Sequence, residues 1–242
     1  MPEESRYVDG THASHIQDWH VGESPWKARH ALAMLRKHKL APQTICEVGC
    51  GAGEALRLIQ QGLPESSQCV GYDISPYAIE LARTREHERL RFYLGDISAL
   101  AGQRFDLTLV LDVVEHLEDY FAFMRALRPL GTHTLFMFPL DLSAQMILRP
   151  DGLLYTRREY GHLHYFTKEV ILALLEETGY EVVDWEYARE GVEEPTNAPR
   201  RRLMSFPRRI AYALNQDIAA HLLGGARFLA LARQGRGAYT QM

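Results

Sequence analysis

The sequence has few cysteines, no excess of basic residues and no long apolar run. Three cysteines in 242 residues favour a reducing compartment over a disulfide framework, so we expect a cytoplasmic protein. The net charge is −4, whereas a domain that binds nucleic acid is usually strongly basic, so we expect no nucleic-acid partner. No apolar stretch approaches the ~20 residues that cross a bilayer, and the polar N-terminus predicts no signal peptide.

What is present is the composition of an ordinary globular protein, 46% hydrophobic and 24% charged. The length allows one well-buried α/β domain with room for an insertion. We expect residues 1–242 to form this single domain, in four parts. The parts are an N-terminal cap segment at 1–40, a central core at 41–190, a helical insertion or lid at 193–225 and a last strand at 226–233.

Strand and helix patterns alternate along most of the chain. Short apolar runs predict strands at 44–48, 68–72, 91–94, 106–111, 132–138, 181–187 and 226–232. Helical spacing predicts helices at 25–40, 53–61, 76–85, 120–127 and 168–178, and residues 140–166 are predicted to form one long loop. The alternation predicts an α/β fold with a doubly wound, mostly parallel, seven-stranded (Rossmann-like) sheet. We expect an antiparallel edge strand and a helical insertion before the last strand.

The strand at 44–48 ends in the glycine-rich turn Glu47-Val48-Gly49-Cys50-Gly51-Ala52-Gly53, which opens a helix. Glycines let a nucleotide-like ligand approach the backbone, and a helix N-terminus offers N–H groups. Asp73, 20 residues after Gly53, is placed to accept from ribose hydroxyls. A dinucleotide site would need Gly or Ala at position 54, where Glu54 would repel a pyrophosphate. S-adenosylmethionine carries no phosphate, so the turn favours it over a dinucleotide.

Four segments in order, ICEVGCGAGEAL, VGYDISPYAIELAR, RFYLGDISAL and FDLTLVLDVVEHLED, resemble the class I S-adenosylmethionine-dependent methyltransferase superfamily, in its small-molecule branch. The resemblance covers about residues 45–185. It implies S-adenosyl-L-methionine as cofactor, S-adenosyl-L-homocysteine as product and a small molecule as methyl acceptor. The residues it implies at the cofactor are Glu47, Gly49, Cys50, Gly51, Gly53, Asp73, Ile74, Asp96, Ile97, Leu111 and Asp112.

The resemblance also implies a role for each of these positions. Glu47 and the turn would line the methionine group. Asp73 would hold the ribose and Ile74 would pack near the adenine. Asp96 would accept from the adenine amine with Ile97 beside it, and Leu111 and Asp112 would lie close to the sulfonium.

Ordinary structural roles remain open for the acidic residues. An Asp at a strand end is usually a helix cap or turn residue, which applies to Asp73 and Asp96. For Asp73 capping and ribose binding are compatible. Asp112 and Glu115 could be only a charge pair at a helix N-terminus.

Three histidines are candidates for acting on the methyl acceptor. A base is needed only if the acceptor loses a proton, as a hydroxyl would. His116 follows Asp112 in the DVVEHL segment. His162 and His164 lie in the stretch HLHYFT, which resembles an element of many bacterial methyltransferases. If this element is extended, His162 and His164 point together at the pocket, where either could act as a base or orient the acceptor. A purely structural role remains open for His116, His162 and His164. Spacing suggests no third ligand for a metal, so we expect no metal site.

Two further segments have open roles. The stretch Tyr7 to Trp26 is rich in aromatic residues and histidine, and either closes over a bound cofactor or is a disordered leader. Five arginines crowd residues 200–209, and Ile210, Leu214, Ile218 and Leu222 recur every four residues, which predicts an amphipathic helix. This insertion could be a lid that packs its apolar stripe over the acceptor pocket, a homodimer contact or, through 200–223, a membrane-surface contact. Its arginines could also meet an anionic acceptor.

The glycine turn and the superfamily resemblance together imply an enzyme that transfers a methyl group to a small-molecule acceptor by in-line displacement. One rival is a non-catalytic or regulatory protein that binds S-adenosylmethionine in the same fold. A second rival is a nucleotide-dependent oxidoreductase. Oxygen, nitrogen and carbon all remain possible as the methylated atom.

Overall fold

The computed structural model describes residues 21–189 and 199–235, and for residues 199–206 it describes the backbone alone. Its strands are joined into one sheet with the order β3-β2-β1-β4-β5-β7-β6. The strands are β1 (Thr44–Val48), β2 (Gln68–Asp73), β3 (Leu90–Leu94), β4 (Phe105–Leu111), β5 (Gly131–Pro139), β6 (Tyr180–Ala188) and β7 (Arg227–Gln234).

Helices connect most of these strands. They are α1 (Ser24–Lys37), α2 (Glu54–Gln61), α3 (Pro76–Arg83), α4 (Tyr120–Leu127), α5 (Ala144–Ile147), α6 (Gly152–Glu159), α7 (Lys168–Glu177), α8 (Pro199–Leu214) and α9 (Gln216–Leu223). None of the described helices has the length and apolar character of a membrane span.

The sheet has the predicted doubly wound, mostly parallel arrangement. Strands β1 to β5 pair in parallel, and β7 pairs antiparallel with both β5 and β6. The antiparallel pairing thus lies at one side of the sheet, with β7 one position in from the edge that β6 forms. The helical insertion, α8 and α9, directly precedes β7 as predicted.

Both faces of the central sheet are buried. Along β5, Phe136 and Phe138 belong to one apolar cluster, while Leu135 and Met137 belong to the cluster on the opposite face. All four side chains are fully buried, which accounts for the continuous apolar run of this strand. A sheet covered on both faces leaves its carboxyl-terminal edge as the place for a ligand.

The segment 140–166 is more regular than the predicted loop. It contains the short helices α5 and α6, and the Ser143 side chain caps α5 by accepting from Met146 N at 3.4 Å. Helices of four and eight residues are too short to give a clear periodicity in sequence. The prediction of one long loop was therefore wrong.

The apolar stripe of the insertion does not pack inward. Ile210, Leu214, Ile218 and Leu222 are all exposed, Leu214 to 82%, whereas Tyr212, Ala219 and Ala220 on the other side are buried. Asn215 divides the predicted single helix, because its side chain accepts from Ile218 N at 3.0 Å and begins α9. The prediction of a lid whose apolar stripe covers the acceptor is therefore wrong, because the opposite face of these helices packs against the rest of the domain. Dimer and membrane-surface contacts stay predictions.

Candidate active site

The glycine turn after β1 is held in one conformation by its backbone. Gly49 N and Cys50 N both donate to Tyr72 O of β2, at 2.8 and 3.0 Å. Gly53 has a φ of +77°, and a Cβ there would lie 2.4 Å from the Phe92 ring. Gly51, with φ +52°, has no atom of the described residues within 4 Å of the position its Cβ would take. The turn is thus packed at Gly53 and open at Gly51, where a ligand can approach.

We expect Gly53→Ala to destabilise the folded protein by about 2–4 kcal/mol. An alanine must adopt a left-handed φ, and its methyl group must displace the buried Phe92 ring. Urea unfolding would measure the loss. Gly102→Ala is a matched control, since Gly102 has φ +80° and open space around its Cβ position. Equal losses in both variants would show that the contact with Phe92 contributes nothing.

Asp73 joins the end of β2 to the turn. Its Oδ2 accepts from Gly51 N at 2.8 Å and its Oδ1 from Ser75 N at 2.9 Å. Burial raises the pKa of this carboxyl, and the two backbone N–H groups act against that rise. Each carboxylate oxygen keeps a further acceptor position, so the structural bonds are compatible with ribose binding. The cap of α3 itself is Ser75, whose Oγ accepts from Ala78 N.

Glu47 is a buried acid at the end of β1. Its side chain is 2% exposed, and Oε2 has no hydrogen-bond partner among the described residues. Burial raises the pKa of Glu47 to about 8, although the positive charge of Lys27 lowers it. A buried carboxylate without a bonded partner is costly, so a cationic ligand group would stabilise it.

Asp112, which directly follows β4, forms ion pairs with two basic side chains. Its Oδ2 lies 2.8 Å from Lys27 Nζ and 2.9 Å from Arg227 Nε. Burial alone would raise the pKa of Asp112, but Arg227 and Lys27 outweigh it and hold the pKa at about 2. Asp112 is therefore an ionised member of a buried ion cluster, with an unusual φ of +57°. Asp112 therefore has two basic partners, beyond the charge pair with Glu115 at a helix N-terminus that the sequence left open.

Helix α1 brings Lys27 to this cluster. Pro25 lies in the first helical turn, where its missing N–H leaves no bond unmade. Trp26 is 1% exposed and anchors the helix, with Arg227 over its ring at 5.3 Å. A hydrogen bond between His30 Nδ1 and Glu186 Oε1 of β6, at 2.8 Å, fixes the next turn. Sequence reasoning missed Lys27 because nothing in its spacing links it to Asp112, 85 positions away.

The remaining predicted cofactor residues lie around the same edge. Leu111 is 5% exposed, and Ile74 and Ile97 are partly buried. Asp96 is exposed and its Oδ1 accepts from Ser98 N at 2.9 Å, so it caps a short 3-10 helix, Ile97–Leu100. Its predicted contact with the adenine amine stays a prediction.

A second group of polar residues lies beyond β4 and β5. Leu163 N and His164 N both donate to the backbone oxygen of Glu115, at 2.8 and 3.1 Å. His116 Nδ1 bonds Gly161 O at 3.1 Å. These bonds hold the HLH segment against the turn that follows β4, and so bring His162 beside Glu115 and His116.

Glu115, His116, Asp141 and His162 form what we call the acid–histidine cluster. His162 Nδ1 bonds Asp141 Oδ2 at 2.5 Å, and the His116 and His162 rings are 5.1 Å apart. Glu115 is fully buried, and its two carboxylate oxygens have no hydrogen-bond partner among the described residues. Burial, together with the negative charge of Asp112, raises the pKa of Glu115 to about 8. Ligand atoms of Glu115, His116 and His162 lie within 4.8 Å of one another, so they form a set that could hold a metal ion.

His164 does not join this cluster. Its Nε2 bonds Leu117 O at 2.9 Å, and its ring packs edge-on against Tyr120 at 4.6 Å. The idea that His162 and His164 point together was wrong, because adjacent N–H groups of the segment both turn to one carbonyl and break the alternation of an extended strand. Of the three histidines, His116 and His162 are brought together and His164 anchors the segment.

Two other predicted features lie partly or wholly outside the described residues. The aromatic and histidine-rich stretch from Tyr7 is described only from residue 21 onward, and the side chains of Arg200, Arg201 and Arg202 lie outside the description. Arg208 is described, and its Nη2 donates to Gln145 Oε1 at 3.1 Å and Leu223 O at 2.9 Å. It therefore joins the insertion to α5.

Comparison with known proteins identifies a family. A family model described as a methyltransferase domain matches residues 23–184. The chain is 27% identical over 167 residues to a ubiquinone biosynthesis O-methyltransferase of Xanthomonas campestris pv. campestris, covering 61% of this chain and 67% of that protein. Proteins of the same name from a Methylobacterium strain and from Azorhizobium caulinodans are 30% and 36% identical over 112 and 87 residues, which cover 42% and 34% of this chain. These matches span only 43% and 33% of the two relatives' own length.

Solved structures show the same fold. A putative methyltransferase of Haloferax volcanii, in complex with the Trm112 activator, has a TM-score of 0.64 at 14% identity. The match covers 97% of this chain and 98% of that chain. Magnesium protoporphyrin IX methyltransferase of Synechocystis, with bound S-adenosylhomocysteine, has a TM-score of 0.60 at 17% identity. The match covers 90% of this chain and 86% of that chain.

Proposed function

The chain belongs to the class I S-adenosylmethionine-dependent methyltransferase superfamily, and we propose that it methylates a hydroxyl oxygen of a small molecule. S-adenosylmethionine supplies a methyl group that is already activated on a sulfonium. The protein therefore has to position the two reactants, exclude water and remove the acceptor's proton.

The donor side of the site fits a zwitterionic methionine group. Glu47 is a buried acid whose Oε2 has no hydrogen-bond partner among the described residues, which suits an ammonium group. Lys27 has three donors, and its bond to Asp112 leaves capacity for a carboxylate. Asp73 would hold the ribose and the open side of Gly51 would face the ligand. Lys27 thus joins the predicted cofactor residues.

The acid–histidine cluster is the observation that carries the choice of a hydroxyl acceptor. It lies beyond the carboxyl ends of β4 and β5, next to Asp112, where the superfamily resemblance puts the sulfonium. Histidine and carboxylate groups serve an acceptor that must be oriented and lose a proton, as a hydroxyl must. The relatives' name, O-methyltransferase, supports the same choice.

Labelled S-adenosylmethionine and a metabolite extract test this proposal. We expect mass spectrometry to find a labelled small molecule whose methyl group is attached to oxygen. Tight binding of S-adenosylhomocysteine with no methylated product from any extract would instead favour a non-catalytic binding protein. A product methylated on carbon would contradict the hydroxyl acceptor while leaving the donor site intact.

Cofactor affinity should rise with pH because Glu47 must ionise to pair with the ligand's ammonium group. Its pKa of about 8 means that the neutral acid dominates below that pH and the ionised form above it. Between pH 6.5 and 8 we expect the Kd of S-adenosylhomocysteine to fall by up to about tenfold per unit. Calorimetry at constant salt would measure it.

Glu47→Gln provides the control for this pH dependence. The amide cannot titrate, so its affinity should be weaker at pH 8 and nearly constant over the same range. A slope that is unchanged in Glu47→Gln would assign the titration to another group.

A further inference from the structure

We propose that Arg227 is a positioning residue that keeps the charge of Lys27 available for the carboxylate of the methyl donor. It acts through Asp112, with which both basic side chains form an ion pair. The inference deepens the proposed function and rests on it, because it concerns the donor side of the same site. Neither the glycine turn nor the superfamily resemblance predicts a role for Arg227.

The direction of β7 brings Arg227 to the ligand edge of the sheet. Strand β7 is antiparallel to β5, so its first residue, Arg227, pairs with Pro139 where β5 ends. On its other side Arg227 pairs with Ala188, the last residue of β6. Ligands bind beyond the carboxyl ends of the parallel strands in such sheets. A strand that runs the other way therefore begins at this edge and places its first side chain there.

Contacts with three side chains hold the Arg227 guanidinium in place. Its Nη2 donates to Glu23 Oε2 at 2.6 Å, and its Nε lies 2.9 Å from Asp112 Oδ2. Its Cζ lies 5.3 Å from the centre of the Trp26 ring. The side chains of Arg227 and Asp112 are 17% and 12% exposed, so salt and water screen their interaction little.

The balance of charge shows what Arg227 does for Lys27. Asp112 Oδ2 is their shared partner, 2.8 Å from Lys27 Nζ and 2.9 Å from Arg227 Nε. Burial raises the pKa of Asp112, and the opposing effect of Arg227 is larger than that of Lys27. Without Arg227, Lys27 would face the charge of Asp112 without this second base.

The same change alters the net charge that a ligand meets. With both bases present, their two positive charges match the carboxylates of Asp112 and Glu23. Without Arg227, the remaining lysine and two carboxylates carry a net formal charge of −1. A ligand carboxylate that approaches Lys27 would then be repelled, whereas a ligand ammonium group would not.

S-adenosylmethionine and decarboxylated S-adenosylmethionine are matched probes, because they differ only in the carboxylate. For the wild-type chain we expect calorimetry to show about 10–100-fold tighter binding of S-adenosylmethionine, the contribution of a hydrogen bond between charged groups. In Arg227→Gln this ratio should fall to about threefold or less, because the carboxylate loses the attraction of Lys27. The decarboxylated probe should bind Arg227→Gln at least as tightly as wild type.

Three further variants test the specificity of this effect. Arg233→Gln is the matched control, because Arg233 lies on the same strand, pairs with Glu181 and is far from the ligand edge. It should leave both affinities within about twofold of wild type. Arg227→Lys keeps the positive charge and should restore most of the ratio. Lys27→Met should remove the ratio, and adding Arg227→Gln to it should lower the ratio no further.

Two results would overturn the inference. One is a ratio in Arg227→Gln that equals the wild-type ratio. The other is an equal loss of affinity for both probes, which would give Arg227 a role in the fold alone. Urea unfolding of each variant measures its stability separately.

Failure of this inference and failure of the proposed function give different results. Oxygen methylation by a wild-type chain that binds both probes equally contradicts the role of Arg227 and keeps the methyltransferase. The expected ratios in a chain that methylates no hydroxyl support the role of Arg227 and contradict the proposed acceptor. A wild-type chain that binds neither probe contradicts the donor site and this inference with it.

Discussion

Replacing Asp73 by alanine should weaken binding of S-adenosylmethionine and S-adenosylhomocysteine by about 100-fold or more. The variant loses an ionised acceptor for the ribose, and hydrogen bonds to charged groups contribute about 1.5–3 kcal/mol each. It also releases Gly51 N and Ser75 N, so the turn loses the bond that holds it to the end of β2. Calorimetric titration with S-adenosylhomocysteine would measure the change.

Asp106→Ala is a matched control for this variant. Asp106 is also a carboxylate that accepts from two backbone N–H groups, those of Gln43 at 2.8 Å and Thr44 at 3.0 Å. It lies near the start of β4, beside the first residue of β1 and thus at the opposite end of that strand from the glycine turn. It should lower stability and leave cofactor affinity within about twofold. Asp73→Asn keeps one acceptor oxygen and should fall between wild type and Asp73→Ala. An unchanged affinity in Asp73→Ala would refute the assignment of the cofactor site.

Replacing His162 by alanine should lower kcat by about 10²–10⁴-fold, the range that positioned acid–base groups contribute. Asp141 holds this side chain, which belongs to the cluster that we propose meets the acceptor. The residues that we propose for donor binding are Glu47, Lys27 and Asp73, so the Kd of S-adenosylhomocysteine should stay nearly constant. Single-turnover methylation with the identified acceptor would separate the two effects.

Two other histidine variants show whether this loss is specific. His221→Ala removes an exposed, carboxylate-paired histidine and should leave kcat unchanged. His164→Ala removes the bond to Leu117 O and the contact with Tyr120, so we expect a lower melting temperature and a smaller loss of kcat. If His162→Ala kept kcat within about twofold of wild type, the acid–histidine cluster would have no part in the reaction.

The sequence alone determined the framework of the cofactor site. Strand β1 and its glycine turn were predicted at their observed bounds, and Asp73 was placed at the end of β2. These signals are local, because a buried strand needs consecutive apolar residues and a tight turn needs glycine at left-handed positions such as Gly53. Composition and order along the chain therefore suffice to predict them, and the alternation of strands and helices predicts the sheet.

The ion cluster around Asp112 consists of contacts that only the tertiary structure could supply. Lys27 meets Asp112 because α1 packs over the edge of the sheet, and Arg227 joins them from the start of β7. No spacing rule connects residues so far apart, since their contact depends on how whole elements pack.

The acceptor side depended on tertiary structure even more. Glu115 and His162 meet through backbone bonds between two turns, and Asp141 arrives from the end of β5. The apolar residues of α8 and α9 had the predicted helical spacing, yet the fold exposed that face and buried the opposite one. Periodicity shows that a helix has two faces, but the residues that surround it decide which face is buried. The sequence therefore predicted the turn and the acidic residues that we propose for the donor, and the packing of distant elements decided which groups form the cluster that we propose for the acceptor.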